Sequence, residues 1–297
     1  MSCQNSTAPI NINKNYKSTC DRLCKFNYDY KDSSCNVENM GTYLKLLYDN
    51  NSIASVIFNN VEMSVNEVRI YRPSLHTFNG NHADGELIIK HIGNGNNLLV
   101  CLPIQISNSS TSSSKILNSI ISNVLEKAPN NGESTTINIE NFNLNNFLSE
   151  SSFYSYKATL PYDPCSGSYN YVVYDIKDGV QISSKSFSDL SKIIDETTSK
   201  IKNTNFYFNK SGSIKGLSKN DLGDGYYLEC TAAGEEGTVL YSTDPDSLTS
   251  TSGSSGTTLT KGNKSVDPKT ATIIGAVGGG LILSVIIYLI IKNLRNR

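Results

Sequence analysis

The chain has 297 residues, 26 Lys and Arg against 27 Asp and Glu, a formal net charge of −1, 38% hydrophobic residues and no tryptophan. That length suits one large domain or two small ones with residues left over. Near-neutral charge excludes a nonspecific nucleic-acid binder, which needs a basic footprint, and the composition, with 35 asparagines, excludes collagen, coiled coil and a multi-span membrane protein.

The opening MSCQNSTAPININ has neither a basic n-region nor an apolar h-region, so no signal peptide is expected. Cysteines follow at Cys3, Cys20, Cys24, Cys35, Cys101, Cys165 and Cys230, an odd set that leaves at least one unpaired or paired between chains. Cys20, Cys24 and Cys35 have C-x3-C-x10-C spacing, open to a zinc reading or to disulfides; no fourth ligand lies nearby, and pairing is not readable from sequence. N-x-S/T acceptors occur at Asn5, Asn50, Asn108, Asn209 and Asn263, as chance allows in so Asn- and Ser-rich a chain.

Alternating β-branched and aromatic residues predict strands over Tyr43–Tyr48, Ser55–Phe58, Glu67–Tyr71, Glu86–His91, Asn97–Ile106, Tyr154–Tyr156 and Asn170–Ile176. Asn79-Gly80, Asp84-Gly85 and Asp178-Gly179 mark turns. Two helices are predicted: Lys115–Lys127, with Ile116, Ile120, Ile121, Val124 and Leu125 at helical spacing, and Phe187–Ile201, with Leu190, Ile193 and Ile194. No β-α-β alternation, P-loop, dinucleotide fingerprint, G-x-S-x-G or H-E-x-x-H is present.

The folded part is expected to span 1–241. Ser242–Lys269, rich in Ser, Thr, Gly and Asp, reads as a stalk. Thr272–Ile291 is 20 residues without a charge, the length of a helix crossing a bilayer core of about 30 Å. Gly275 and Gly279 form a G-x-x-x-G pair inside it. The tail 292–297 carries Lys292, Arg295 and Arg297, which the positive-inside rule assigns to the cytoplasmic or intravirion side, with the N-terminal domain outside. The expected localisation is a virion or cell membrane.

Several short motifs, in order, resemble the alpha-carbonic anhydrases. Ser6-Thr7-Ala8-Pro9-Ile10-Asn11-Ile12 is similar to Q-S-P-I-N-I, and Asn39-Met40-Gly41-Thr42 to N-N-G-H. Glu67-Val68-Arg69-Ile70-Tyr71 stands where the family has Q-F-H-F-H, and Ser74-Leu75-His76-Thr77-Phe78-Asn79-Gly80 resembles S-E-H-T-V-D-G. Glu86-Leu87-Ile88-Ile89-Lys90-His91 resembles E-L-H-L-V-H, Tyr154–Leu160 resembles W-T-Y-P-G-S-L, and Val180–Ser184 resembles I-S-V-S-S. The likeness covers about 5–195; the family's R-P-x-Q-P-L-x-x-R ending is missing, and nothing quotable matches 196–241.

The resemblance implies a mainly β (α+β) fold, a central twisted sheet with a few short helices, here followed by a single transmembrane helix. It also implies three histidines on Zn²⁺, whose bound water is the nucleophile. At those positions stand Arg69, Tyr71 and Ile88; Thr42 matches the proton-shuttle histidine, Pro161 the threonine that orients the hydroxide, and Leu75 the glutamate that holds it. No metal, no cofactor and no CO₂ hydration are therefore expected. His76, Glu86 and Tyr156 match a histidine, glutamate and tyrosine that the family keeps hydrogen-bonded together. His91 is read as a satisfied core histidine, and His82 as a loop residue.

Strand alternation turns Glu67, Arg69 and Tyr71 toward Glu86, Ile88 and Lys90. Two readings stay open. Arg69 pairs with Glu67 or Glu86 and fills the old zinc site, or Arg69, Tyr71, Arg72, Lys90 and Lys157 line a basic cleft for an anionic ligand such as a sulfated or acidic glycan. The layout of inactive domain, spacer, single span and basic tail is similar to a poxvirus carbonic-anhydrase-like envelope protein that binds cell-surface glycosaminoglycan. The expected function is a non-enzymatic, membrane-anchored virion-surface protein attaching to a host glycan or receptor. The alternatives are a structural or scaffold protein with viral partners only, and a zinc enzyme with a relocated metal.

Overall fold

The computed structural model describes residue 3 and residues 5–49, 51–108, 110–140 and 142–217. The expected stalk, span and tail, Cys230 and Asn50 lie outside the described residues. No helix among the described residues is long and apolar enough to cross a membrane.

The first strands are Asn11–Ile12 (β1), Phe26–Tyr28 (β2), Cys35–Asn39 (β3), Leu44–Leu47 (β4), Ala54–Phe58 (β5), Val61–Tyr71 (β6), Thr77–Phe78 (β7) and Asn81–His82 (β8). Two long strands follow, Gly85–Gly93 (β9) and Asn96–Ile106 (β10), then the helix Ser112–Lys127 (α1) and the strands Ser134–Ile137 (β11), Phe153–Ala158 (β12), Tyr169–Tyr174 (β13) and Val180–Ile182 (β14). The helix Ser184–Ile193 (α2) and the strands Tyr207–Asn209 (β15) and Ile214–Lys215 (β16) complete the described chain.

One large sheet runs β11-β3-β4-β6-β9-β10-β13-β12-β15, with β14 joined to β10 and with β5, β2 and β16 carried off β6. The order is antiparallel except where β10 meets β13 and β14, and β16 meets β2, in parallel. Its centre follows from residue type. Apolar residues run almost unbroken through the middle of β9 and β10, so both faces of those strands are buried, while β6 alternates buried with half-buried positions. Val68, Ile70, Leu87, Ile89, Leu98 and Val100 pack on one face against Leu117, Ile120, Ile121 and Val124 of α1 and Leu190 and Ile193 of α2. Tyr71, Ile88, Leu99, Cys101, Tyr156 and Tyr171 form the core of the other face, closed by Ala8, Ile10 and Ile12 from the N-terminal segment.

A register shift in β6 decides which face is which. Val65 pairs with His91 and Glu67 with Lys90, so Asn66 is one residue extra, a β-bulge. Before it the odd residues Met63 and Val65 face the helices; after it the even residues Val68 and Ile70 do.

Both helices begin where a hydroxyl caps them. Thr111 accepts from the backbone N–H of Ser114, and Ser183 from that of Ser186. The second helix corrects the sequence expectation: it spans Ser184–Ile193, not 187–201. Ile194 is already extended, at φ −126° and ψ 145°, and buried. Beyond it Asp195 N–H bonds Gly41 O at 2.7 Å and Thr197 N–H bonds Arg72 O at 2.8 Å, so tertiary pairing displaces helical bonding.

Among the described residues two disulfides are present, Cys3–Cys165 and Cys20–Cys24. The zinc reading of Cys20, Cys24 and Cys35 is corrected: two of those thiols are bonded to each other, and Cys35 is free and buried. The sequon asparagine Asn209 is 1% exposed and bonds Cys24 O and the Gly212 N–H, so it serves the fold.

Candidate functional site

The extra residue at Asn66 turns Glu67, Arg69 and Tyr71 away from the helices. Across β9 their partners are Lys90, Ile88 and Glu86 in that order. Arg69 Nη2 bonds both carboxylate oxygens of Glu67 at 3.0 Å, and Nη1 donates to the Tyr71 hydroxyl at 3.0 Å. The guanidinium lies between two rings, with Cζ 3.9 Å from the Tyr162 centroid and 4.5 Å from that of Tyr43. Lys90 Nζ reaches Glu67 at 3.5 Å, so one carboxylate serves two cations. Burial disfavours the Arg69 charge, but Tyr71, Tyr162 and Glu67 outweigh it and hold the guanidinium protonated above its ordinary range.

This cluster stands at a cleft of about 770 Å³. One wall is the Pro161–Asp163 turn. Ser6 Oγ donates to Leu160 O at 2.8 Å, Thr7 and Thr159 exchange backbone-to-hydroxyl bonds, and Cys3–Cys165 closes that corner covalently. The opposite wall is the extended segment 196–202. It is held at one end by Thr197, whose hydroxyl bonds Thr42 O at 3.0 Å, and at the other by Lys202 N–H on Pro9 O at 2.8 Å. The Asn39–Thr42 turn sets that first anchor. Asn39, fully buried, binds the Gly41 N–H through Oδ1 and gives Nδ2 to Ala128 O, Pro129 O and Ile193 O, tying the ends of both helices to the sheet. Gly41 takes φ +76°, a left-handed turn position suited to glycine.

Behind the cleft lies a fully buried polar network. His76 Nδ1 bonds Glu86 Oε1 and Nε2 bonds the Tyr156 hydroxyl, both at 2.6 Å. Glu86 Oε2 accepts from the N–H groups of Leu75 and His76, at 2.7 and 3.0 Å. Burial would raise the Glu86 carboxyl, but the His76 ring and these N–H groups hold it below the usual carboxylate range. Cys101 joins the group, with His76, Glu86 and Cys101 ligand atoms within 4.8 Å of one another. Burial, the Glu86 charge and a hydrogen bond to Glu86 push its thiol far up, so it stays protonated. Both His76 nitrogens and both Glu86 oxygens are engaged in hydrogen bonds inside the protein.

The sequence-predicted residues divide clearly. Arg69 and Tyr71 line the cleft, as do Thr42, Leu75 and Pro161, and Ile88 lies beneath in the core. Lys90 sits behind Arg69 through Glu67. Arg72 bonds Ile194 O and pairs with Glu196 at 3.2 Å, stitching the base of one wall. Lys157 is exposed on β12 and does not line the cleft, because β12 turns its neighbours Tyr156 and Ala158 inward. The residues missed were Tyr43 and Tyr162, which stack on Arg69, and the 196–202 wall, which matched no motif. The three positions that the resemblance assigns to zinc do not fit it. Arg69 offers five N–H donors and no lone pair, Ile88 is hydrocarbon, and burial pushes the Tyr71 phenol up so that it keeps its proton.

A family model described as eukaryotic-type carbonic anhydrase matches residues 2–207. No curated protein matches the chain in sequence. Among solved structures, dioscorin complexed with ascorbate is 16% identical at a TM-score of 0.58, covering 68% of this chain and 85% of its own. The alpha-carbonic anhydrase of Thermovibrio ammonificans with sulfanilamide is 18% identical at 0.56, covering 68% and 86%. Carbonic anhydrase Cah3 of Chlamydomonas reinhardtii with acetazolamide is 16% identical at 0.56, covering 69% and 91%. These likenesses carry the fold, and the family match carries membership: the chain belongs to the eukaryotic-type carbonic anhydrase family.

Proposed function

We propose that this protein keeps the carbonic anhydrase fold without the enzyme's chemistry and acts as a binding module. In this reading the apolar segment 272–291 holds it on a virion or cell membrane, and the domain attaches to a host-cell glycan or receptor. The observation that carries the reading is Arg69. A guanidinium fixed by Glu67, Tyr71, Tyr43 and Tyr162 occupies a position that the motif resemblance assigns to a zinc-ligating histidine, and a permanent cation there would repel a divalent ion. The 770 Å³ cleft around it, with walls tied down by a disulfide and backbone bonds, offers a preformed concave surface.

The test is metal analysis and CO₂ hydration on the purified full chain, followed by cell binding of the full chain displayed on vesicles. The expected result is sub-stoichiometric zinc, hydration at the uncatalysed rate, and saturable cell binding. Stoichiometric zinc with hydration activity, or no attachment to any cell type, sinks the reading.

A further inference from the structure

Leu23, at 60%, is the most exposed large apolar side chain among the described residues. It stands in a turn that is held firmly. Cys20–Cys24 closes the turn covalently, and the N–H groups of Leu23 and Cys24 both bond Cys20 O at 2.8 Å. Asn59 gives Nδ2 to Leu23 O at 2.8 Å and accepts the Lys25 N–H at 2.9 Å. Asn209 of β15 gives Nδ2 to Cys24 O at 2.7 Å. The backbone of the turn is thus pinned from two sides while its apolar tip is held out in water.

Around that tip the surface is basic. Residues 13–25 carry Lys14, Lys17, Arg22 and Lys25 against one acid, Asp21. Residues 203–211, which lie beside them, carry Lys210 and no acid. Backbone bonds join the two segments: Lys17 N–H to Phe206 O at 2.8 Å, Cys20 N–H to Phe208 O at 2.9 Å and Phe208 N–H to Ser18 O at 3.0 Å. Asp21 accepts the Ser211 N–H at 2.6 Å, which sets Lys210 beside the turn. Lys14, Lys17, Arg22 and Lys210 are exposed, and among the described residues none of the four is ion-paired. Over these two segments five cations meet one carboxylate, in a chain whose net charge is −1.

We propose that the 20–24 turn docks on the anionic bilayer that carries the chain. Leu23 enters the boundary between headgroups and acyl chains, and Lys17, Arg22 and Lys210 meet the headgroup charge. A single protruding apolar side chain among cations suits a fluid surface, which needs no matching pocket. In the binding-module reading the uncharged segment 272–291 keeps a bilayer beside the domain. An affinity too weak to recruit a free protein then suffices, because tethering makes the contact intramolecular. The proposal rests on that anchoring and not on attachment to a glycan or receptor.

The chain has no tryptophan, so Leu23→Trp puts a sole reporter at the tip. The full chain is reconstituted into vesicles of phosphatidylcholine alone and of an equimolar mixture with phosphatidylserine, each with and without brominated acyl chains. The expected result is a blue-shifted emission, quenched by bromine, in the phosphatidylserine vesicles at about 0.1 M salt and lost at about 1 M. Ile106, 39% exposed at the end of β10 with its N–H on Asp84, gives the reference variant Ile106→Trp, whose emission stays that of water. In the Leu23→Trp background, Arg22→Gln with Lys210→Gln lowers the ratio of docked to undocked tips about 30-fold, at about fivefold per cation. Emission unmoved in phosphatidylserine, an equal response in pure phosphatidylcholine, equal quenching of Ile106→Trp, or a ratio unchanged by the double change overturns the proposal. So does polyglutamate shifting the tip emission where neither vesicle does, which assigns the surface to an acidic protein. Flotation with the vesicles at about 1 M salt reads the anchor separately. A chain that floats with an unmoved tip loses the docking and keeps the anchor. A chain that sinks yet responds to phosphatidylserine keeps the docking and loses the anchor.

Discussion

Arg69 and Glu67 form a two-toothed ion pair on one strand face, both Nη2-to-oxygen distances 3.0 Å and each side chain 12% exposed. Removing one partner of such a buried pair strands the other, together with Lys90. Glu67→Ala should lower stability by about 3–5 kcal/mol, whereas Glu67→Met with Arg69→Met and Lys90→Met loses far less because no buried charge is orphaned. Urea denaturation of the three chains checks this, and equal losses in the single and triple variants would contradict it.

Tyr156→Phe removes the hydroxyl facing His76 Nε2 in a site with no solvent. The ring keeps its stack on Tyr171, whose centroid is 4.2 Å away, so packing is preserved. The expected cost is about 1–3 kcal/mol from one unmet buried group, read as a fall in the urea midpoint at constant slope.

Acid should destabilise the fold through His91. It is fully buried against the Tyr30 hydroxyl at 2.9 Å, and burial pushes its pKa from the ordinary 6.5 down to about 3. The unfolded chain therefore takes up this proton near pH 6.5 and the folded chain only near 3. His91 costs nothing above pH 7.5 or so; below 6.5 stability falls by about 1.4 kcal/mol per pH unit until about 3. The depressed Glu86 carboxyl loses stability in the same direction below the usual carboxylate range. Thermal melts from pH 8 to pH 4 should steepen below 6.5 in the wild type and flatten there in His91→Gln.

Chelation should leave the protein alone. Dialysis against EDTA is expected to shift the melting midpoint by less than about 1 °C, since no fold energy is assigned to a metal. A fall of several degrees, restored by zinc, would show a resident ion.

Cys3→Ser should cost more than most surface changes. The Cys3–Cys165 bond spans 162 residues of sequence, and a loop of that size is worth about 5 kcal/mol in the chain-entropy account, with smaller values common in practice. Calorimetric melts should show a lower midpoint.

The central strands were legible because runs of β-branched and apolar residues pass through them where both faces are buried: β9 and β10 were placed to within a residue at most boundaries. β6 was read only from Glu67, although it starts at Val61. Met63 and Val65 carry the same signal in the opposite phase, and a fixed period of two cannot follow a bulge. Phe26–Tyr28 was missed because three consecutive buried residues show no period at all. Cys35–Asn39 alternates in burial, but its polar residues Asn36 and Glu38 left only Cys35 and Val37 to signal it. At the site, the motifs led to Arg69, Tyr71 and the His76–Glu86–Tyr156 network. Tyr43 and Tyr162 converge on Arg69 from segments far apart in sequence, and the 196–202 wall is set by backbone bonds that no side-chain pattern encodes.

Asn66 acts on the sheet as an inserted letter acts on a reading frame. Deleting it while keeping the β6–β9 pairing would exchange the two faces of every residue on one side of the deletion. Val68 and Ile70 would then meet the cleft, and Glu67 and Arg69 would be driven into hydrocarbon beside α1 and α2. The exposed asparagine has no chemistry of its own here; its presence decides whether the charges beside it stand in a cleft or in a core.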